Sequence, residues 1–243
     1  MDKVVYYVFV ALASLIALTV HEFSHGLVAY RLGDPTARAM GRLTLNPIRH
    51  IDPVGALCMI VFRFGWARPV PIDPRYFKNP KRDFALCALA GPVSNLILAI
   101  FTGFLYSLLL FVFGGVEFTN AFIFELCKNL LNFLFIFHYV NLGLTVFNLI
   151  PVPPLDGSRI LNVILPERIY FRIMRYERKI YLGLIIWLVA GDFLRNALLK
   201  LPFIASNPVL SGITIILSLS DLIGLCIQGL SDLILGLFSL IFN

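Results

Sequence analysis

Charge is scarce in this chain. Asp, Glu, Lys and Arg make up only 14% of its 243 residues while 59% are hydrophobic, against about 25% and roughly 45–50% in an ordinary soluble domain. A soluble fold of this length lacks the polar residues to cover such a core, so the chain is read as an all-α polytopic membrane protein. Cysteine is sparse as well. Cys58, Cys87, Cys127 and Cys226 lie far apart with no C-x-x-C pair, which excludes a thiolate metal cage and a disulfide framework and leaves buried reduced thiols. No internal repeat, low-complexity linker or long polar stretch is present, so neither a disordered chain nor an appended soluble domain is expected. The N-terminal apolar run has no small-residue cleavage site and passes straight into HEFSHGLVAYRL, so it is read as a retained span and not a signal peptide.

A hydrocarbon core of about 30 Å takes roughly 20 helical residues to cross. Five segments reach that length, at 4–32, 84–113, 121–150, 180–199 and 209–242. A shorter apolar stretch at 54–64 contains Arg63 and suits a short or re-entrant element, giving five to six transmembrane helices. The net charge of +6 belongs to topology and not to nucleic acid: ten Lys/Arg lie between Arg31 and Arg82, six between Arg159 and Lys179, and none at 114–120. By the positive-inside rule both basic stretches are cytoplasmic, with anionic lipid as a minor contact. The stretch 36–50 alternates loosely around a glycine and is read as a small β-hairpin at the membrane surface, with a plain loop as the alternative.

His21, Glu22 and His25 form an HExxH pattern inside the first span. Four residues is just over one helical turn, so both imidazoles leave the same face and can share one metal ion, with Glu22 beside them. That is the geometry of a zinc hydrolase, and ionisable groups in a membrane span mark function by default. A catalytic zinc takes three protein ligands and keeps one position open. Asp156 is the best third donor, in NLIPVPPLDG, where Pro151, Pro153 and Pro154 must break the preceding helix; His50 and His138 compete with it. Upstream, His138, Asn141, Thr145 and Asn148 form one polar stripe, read as interhelical hydrogen bonding except at Asn148. Its amide is placed to hold a substrate strand or an oxyanion. Gly91, Asn95, Ala99 and Gly103 form a matching stripe of small residues on the span from Phe84, and there Asn95 is read as packing or as a substrate contact.

HEFSH in a membrane helix, then GRLTLNPIRHIDPVG, WARPVPI, AGPVSN and NLIPVPPLDG, together resemble the site-2 protease family of intramembrane zinc metalloproteases, peptidase family M50, in its compact prokaryotic branch. The resemblance covers residues 21 to about 160. It implies that His21, His25 and Asp156 hold one Zn2+, that Glu22 is the catalytic base, and that Asn148 lines the active site. It implies a three-helix catalytic core within residues 1–160, leaving 161–243 as further transmembrane helices, without the PDZ or nucleotide-sensing domain that many family members carry. The expected activity is hydrolysis of peptide bonds within or near the membrane spans of single-span proteins or signal-peptide-like substrates, at the cell membrane, with the site nearer the cytoplasm. A non-catalytic zinc-binding scaffold and a metal transporter are the alternatives.

Overall fold

The computed structural model describes residues 1–53, 55 and 68–242. The chain runs through α1 (Lys3–Arg31), α2 (Thr36–Ala39), α3 (Pro80–Gly114), α4 (Ala121–Leu149), α5 (Asp156–Ile164), α6 (Glu167–Arg175), α7 (Glu177–Leu198), α8 (Pro202–Ala205), α9 (Pro208–Ile213) and α10 (Leu219–Phe242). Among these, α1, α3, α4, α7 and α10 are long and apolar enough to cross a bilayer. The protein is an all-α, multi-pass integral membrane protein. Helix ends follow local chemistry. Asn120 caps α4 by accepting from the Phe122 and Ile123 amides, and α3 opens on Pro80, whose missing N–H is no loss at a helix start.

Three long helices share one interior. Ala13 and Ala17 of α1 are fully buried against Ile136 and Phe137 of α4, with Leu98 of α3 closing the cluster. Small residues on α1 and α3 let the backbones approach closely, as membrane helices without a hydrophobic driving force require. The last helix is also part of this body: Ile234, Ile227 and Leu230 of α10 pack on Ala99 of α3 and Leu142 of α4. A polar latch accompanies them. His138 donates through Nδ1 to the Ala99 carbonyl at 2.8 Å, which leaves Nε2 to accept from the Ser231 hydroxyl of α10 at 3.1 Å. The two basic stretches meet at one end of the bundle, where Lys81 donates to the Leu165 carbonyl and the Arg159 guanidinium lies over the Phe84 ring.

Two sequence expectations change. The β-hairpin at 36–50 is not formed, and no strand occurs among the described residues. Asp34 accepts from both the amide and the hydroxyl of Thr36 and starts α2, Gly41 turns the chain at φ 62°, and Asn46 with Pro47 starts a single 3-10 turn. Local side-chain hydrogen bonds therefore win over a weak alternation. The final span begins at Leu219 and not near 209, because Pro202 and Pro208 start short helices and a 3-10 turn before it. The short element expected over 54–64 lies outside the described residues, apart from Gly55.

Candidate metal centre

Helix α1 presents His21 and His25 one turn apart on its buried side, with the rings edge to face and their centroids 4.6 Å apart. Each ring is fixed from behind. His21 Nδ1 lies 2.6 Å from Asn95 Oδ1, and the Asn95 amide nitrogen donates to the Ala17 carbonyl and to Asn141 Oδ1. The oxygen of Asn95 is thus the acceptor, so His21 Nδ1 carries the proton. His25 Nδ1 donates to the Cys87 carbonyl at 2.6 Å, and a carbonyl can only accept. Both imidazoles are held in the tautomer whose Nε2 lone pair points away from these anchors. Outer hydrogen bonds of this kind orient the histidines of metal sites.

The two lone pairs converge on Asp156. Its Oδ2 stands 3.1 Å from His21 Nε2 and 3.2 Å from His25 Nε2. The helix of α4 ends before Pro151, the chain turns through 151–155, and Asp156 opens α5 beside the histidines. Gly157 makes this turn feasible: a Cβ there would stand 2.4 Å from the carbonyl oxygens of Leu149 and Ile150. Gly91 of α3 forms the floor, where a Cβ would lie 2.5 Å from His25 Nε2 and 2.6 Å from His21 Nε2.

This donor set fits zinc. Three atoms that each offer electrons face one another within 4.8 Å, an arrangement that repels itself until a cation sits among them. Tetrahedral zinc at about 2.0–2.1 Å from each donor would set them about 3.3–3.4 Å apart, close to the separations from Asp156 to the two imidazoles. Two imidazoles with one carboxylate, and no fourth donor among the described residues, is the composition of a catalytic zinc site and not of a closed structural one.

Comparison with known proteins decides the class. The sequence profile of peptidase family M50 matches residues 8–190. The chain belongs to peptidase family M50. It is 42% identical over 194 residues to the Bacillus subtilis protein named "Putative zinc metalloprotease YwhC", covering 78% of this chain and 84% of that one. It is also 29% identical over 149 residues to Rip2 of Mycolicibacterium smegmatis (59% of this chain, 52% of that one) and 30% identical over 167 residues to Rip2 of Mycobacterium tuberculosis (64% and 57%), whose names carry the same description. The chain thus spans just over half the length of the mycobacterial relatives. No solved structure matches the chain significantly. This M50 protein is a zinc metalloprotease, and Zn2+ is its cofactor.

The remaining candidates sit elsewhere. Glu22 is half-buried on α1, and its Oε2 accepts from the Val70 backbone N–H at 2.7 Å. Asn148 is half-buried near the end of α4; its amide donates to the Leu144 carbonyl at 3.0 Å, one turn back, and among the described residues no hydrogen bond joins it to the cluster. His50 and His138, the competing donors, point their rings at Thr44, Ala99 and Ser231. The sequence leaves Asn95 open between packing and substrate contact; its bond to His21 emerges only in the folded chain. Asn95 falls on the small-residue stripe of α3, which was the available signal. Asn95→Ala in this M50 protein should lower zinc affinity about 10–100-fold, the usual loss when a ligand's outer partner is removed. Competition titration against a chelator reads this directly, and unchanged affinity would remove Asn95 from the metal centre.

Proposed function

We propose that this M50 protein is an intramembrane endopeptidase that cuts peptide bonds within or beside the spans of single-span membrane proteins or signal-peptide-like segments. What carries this reading is the depth of the donor set: His21 and His25 are buried partway along a 29-residue apolar helix and face a second one, α3. A protease for soluble chains has no need to place its metal ligands there. Ionisable groups inside a span are expensive and are retained for chemistry on something that reaches the same depth.

His21, His25 and Asp156 hold the zinc, which supplies a Lewis acid that activates water and polarises a carbonyl. Glu22 handles the protons. Its carboxylate takes one from the attacking water and returns it to the leaving amine nitrogen, serving as base and then as acid. Asn95 and the Cys87 carbonyl keep the imidazoles in register through both steps, since neither anchor titrates. Asn148, eight residues before Asp156, lines the approach and has its carbonyl oxygen to offer an unwound substrate strand. A helical substrate must unwind first, because its scissile carbonyl is otherwise engaged in its own helix. The basic ends of α3 and α5 set this face of the bundle toward the cytoplasm of the cell membrane.

The test uses the purified protein reconstituted in lipid with a reporter of one apolar span, about 20 residues long, carrying a fluorophore on its cytoplasmic tail. Cleavage should stop in the presence of a zinc chelator and return when zinc is restored. Mass analysis should place the cut within or next to the span. Chelator-resistant cleavage, or cuts confined to the soluble tail far from the span, would overturn the proposal.

A further inference from the structure

The extended segment 68–73, RPVPID, lies across the HExxH helix and is fastened at both ends. At its start, the Arg68 amide donates to the His50 carbonyl at 2.8 Å, while Arg42 donates through Nη2 to the carbonyls of Arg68 at 2.6 Å and Pro69 at 3.2 Å. At its end, the Asp73 amide donates to Asp34 Oδ2 at 2.7 Å; Asp34 is fully buried just beyond α1. Between these fastenings the Val70 N–H reaches Glu22. Gly26 of α1 allows the close approach, since a Cβ there would stand 3.1 Å from Val70 Cγ1.

Arg42 stands out in this arrangement. Its side chain is buried, and among the described residues no carboxylate lies within ion-pair distance of it. A buried guanidinium is costly and needs a compensating role. The contacts that Arg42 does make are with two adjacent backbone carbonyls of the segment, immediately before the one amide that meets Glu22. Pro69 and Pro71 flank that amide and have no N–H of their own, so the segment has a single donor to offer at this point and its register must be held.

We propose that Arg42 is a positioning residue that acts through the segment 68–73: it holds the Val70 N–H on Glu22 Oε2, which fixes the carboxylate and leaves Oε1 to receive the proton from water. This rests on the assignment of Glu22 as the base. A carboxylate on a flexible side chain samples several rotamers, and a hydrogen bond to one of its oxygens selects the one in which the other faces the reacting water. Arg42 touches neither metal ligand and makes no contact with the reacting atoms.

Two substitutions test this. Arg42→Ala removes the fastening, and Val70→Pro removes the N–H, together with the side chain that packs on Gly26, while keeping an extended backbone. Each should lower kcat about tenfold or more, with KM changed less than about threefold and zinc content unchanged, because a misplaced base impairs the chemical step and not binding. The double variant should be no worse than the poorer single one, since both act on the same bond. Arg42→Lys, still able to donate to a carbonyl, should recover part of the loss. An independent measurement needs no substrate: hydrogen exchange at the Val70 amide should be slow in the wild type and at least tenfold faster in Arg42→Ala and in Glu22→Ala. Unchanged kcat in Arg42→Ala, a loss in KM alone, additive losses in the double variant, or exchange at Val70 that ignores Arg42 would each overturn the proposal. If Glu22→Gln retained full activity, it would be the assignment of the base that failed. Glu22→Gln inactive beside a fully active Arg42→Ala would sink only the positioning role.

Discussion

Glu22→Gln should lower kcat about 10³-fold while zinc content and thermal stability stay at the wild-type level: this is the largest effect expected from the exchange of a single heavy atom in the chain. Glutamine keeps the length and shape of the side chain, and its amide oxygen can still accept from the Val70 N–H. What it loses is the ability to take a proton. The structure separates this residue cleanly from the ligand set, because Glu22 binds a backbone amide while Asp156 meets the imidazoles. Metal analysis of the purified variant, beside its rate on the single-span reporter, checks both halves. A variant that still cuts within tenfold of the wild type would show that another group moves the proton.

Asp156→Ala should instead empty the site. The carboxylate supplies one of three donors and the only negative charge among them, so its removal should weaken zinc binding by more than the roughly 10–100-fold typical of an outer partner. Zinc should be lost on purification, and activity with it. The fold should survive. Alanine is a good helix former at the start of α5, and losing an acidic residue from a first turn costs only about 0.3–1 kcal/mol. Asp156→Asn sharpens the result, since it keeps the shape and an oxygen but not the charge. Zinc content measured on protein of unchanged thermal stability decides the matter. Full occupancy in both variants would pass the third ligand to another residue.

The meeting of His21, His25 and Asp156 is legible in the sequence because it depends on spacing. His21 and His25 had to share a face through helical geometry alone, and the prolines at 151, 153 and 154 had to end α4, after which the chain returns Asp156 to the two imidazoles. The anchors of the imidazoles were harder to see. Every residue has a carbonyl, so nothing in the composition marks that of Cys87, and it becomes special only when α3 packs against α1. Asn95 fitted a packing stripe equally well, since an amide in a small-residue row serves helix contact and ligand support alike. The 36–50 segment misled for another reason. Its alternation is a two-residue pattern too short to outweigh an Asx turn at Asp34 and a 3-10 turn at Pro47, each fixed by bonds within two residues. The final apolar run reads as continuous because hydropathy does not register helix starts, and the short helix begun by Pro208 and a 3-10 turn at 214–217 take up its first residues.

The seam between α1 and α3 has a bearing on how a peptide arrives. Asn95 and the Cys87 carbonyl both belong to α3, and the histidines they orient belong to α1. In the proposed mechanism, any motion that parted these two helices would release both rings and scatter the residues that would hold zinc at the moment a substrate came in. That seam is therefore barred from serving as the doorway. The passage to Glu22 has to open on a side of the bundle whose movement leaves the α1 and α3 contact shut, so that the protein admits its substrate without taking its own active site apart.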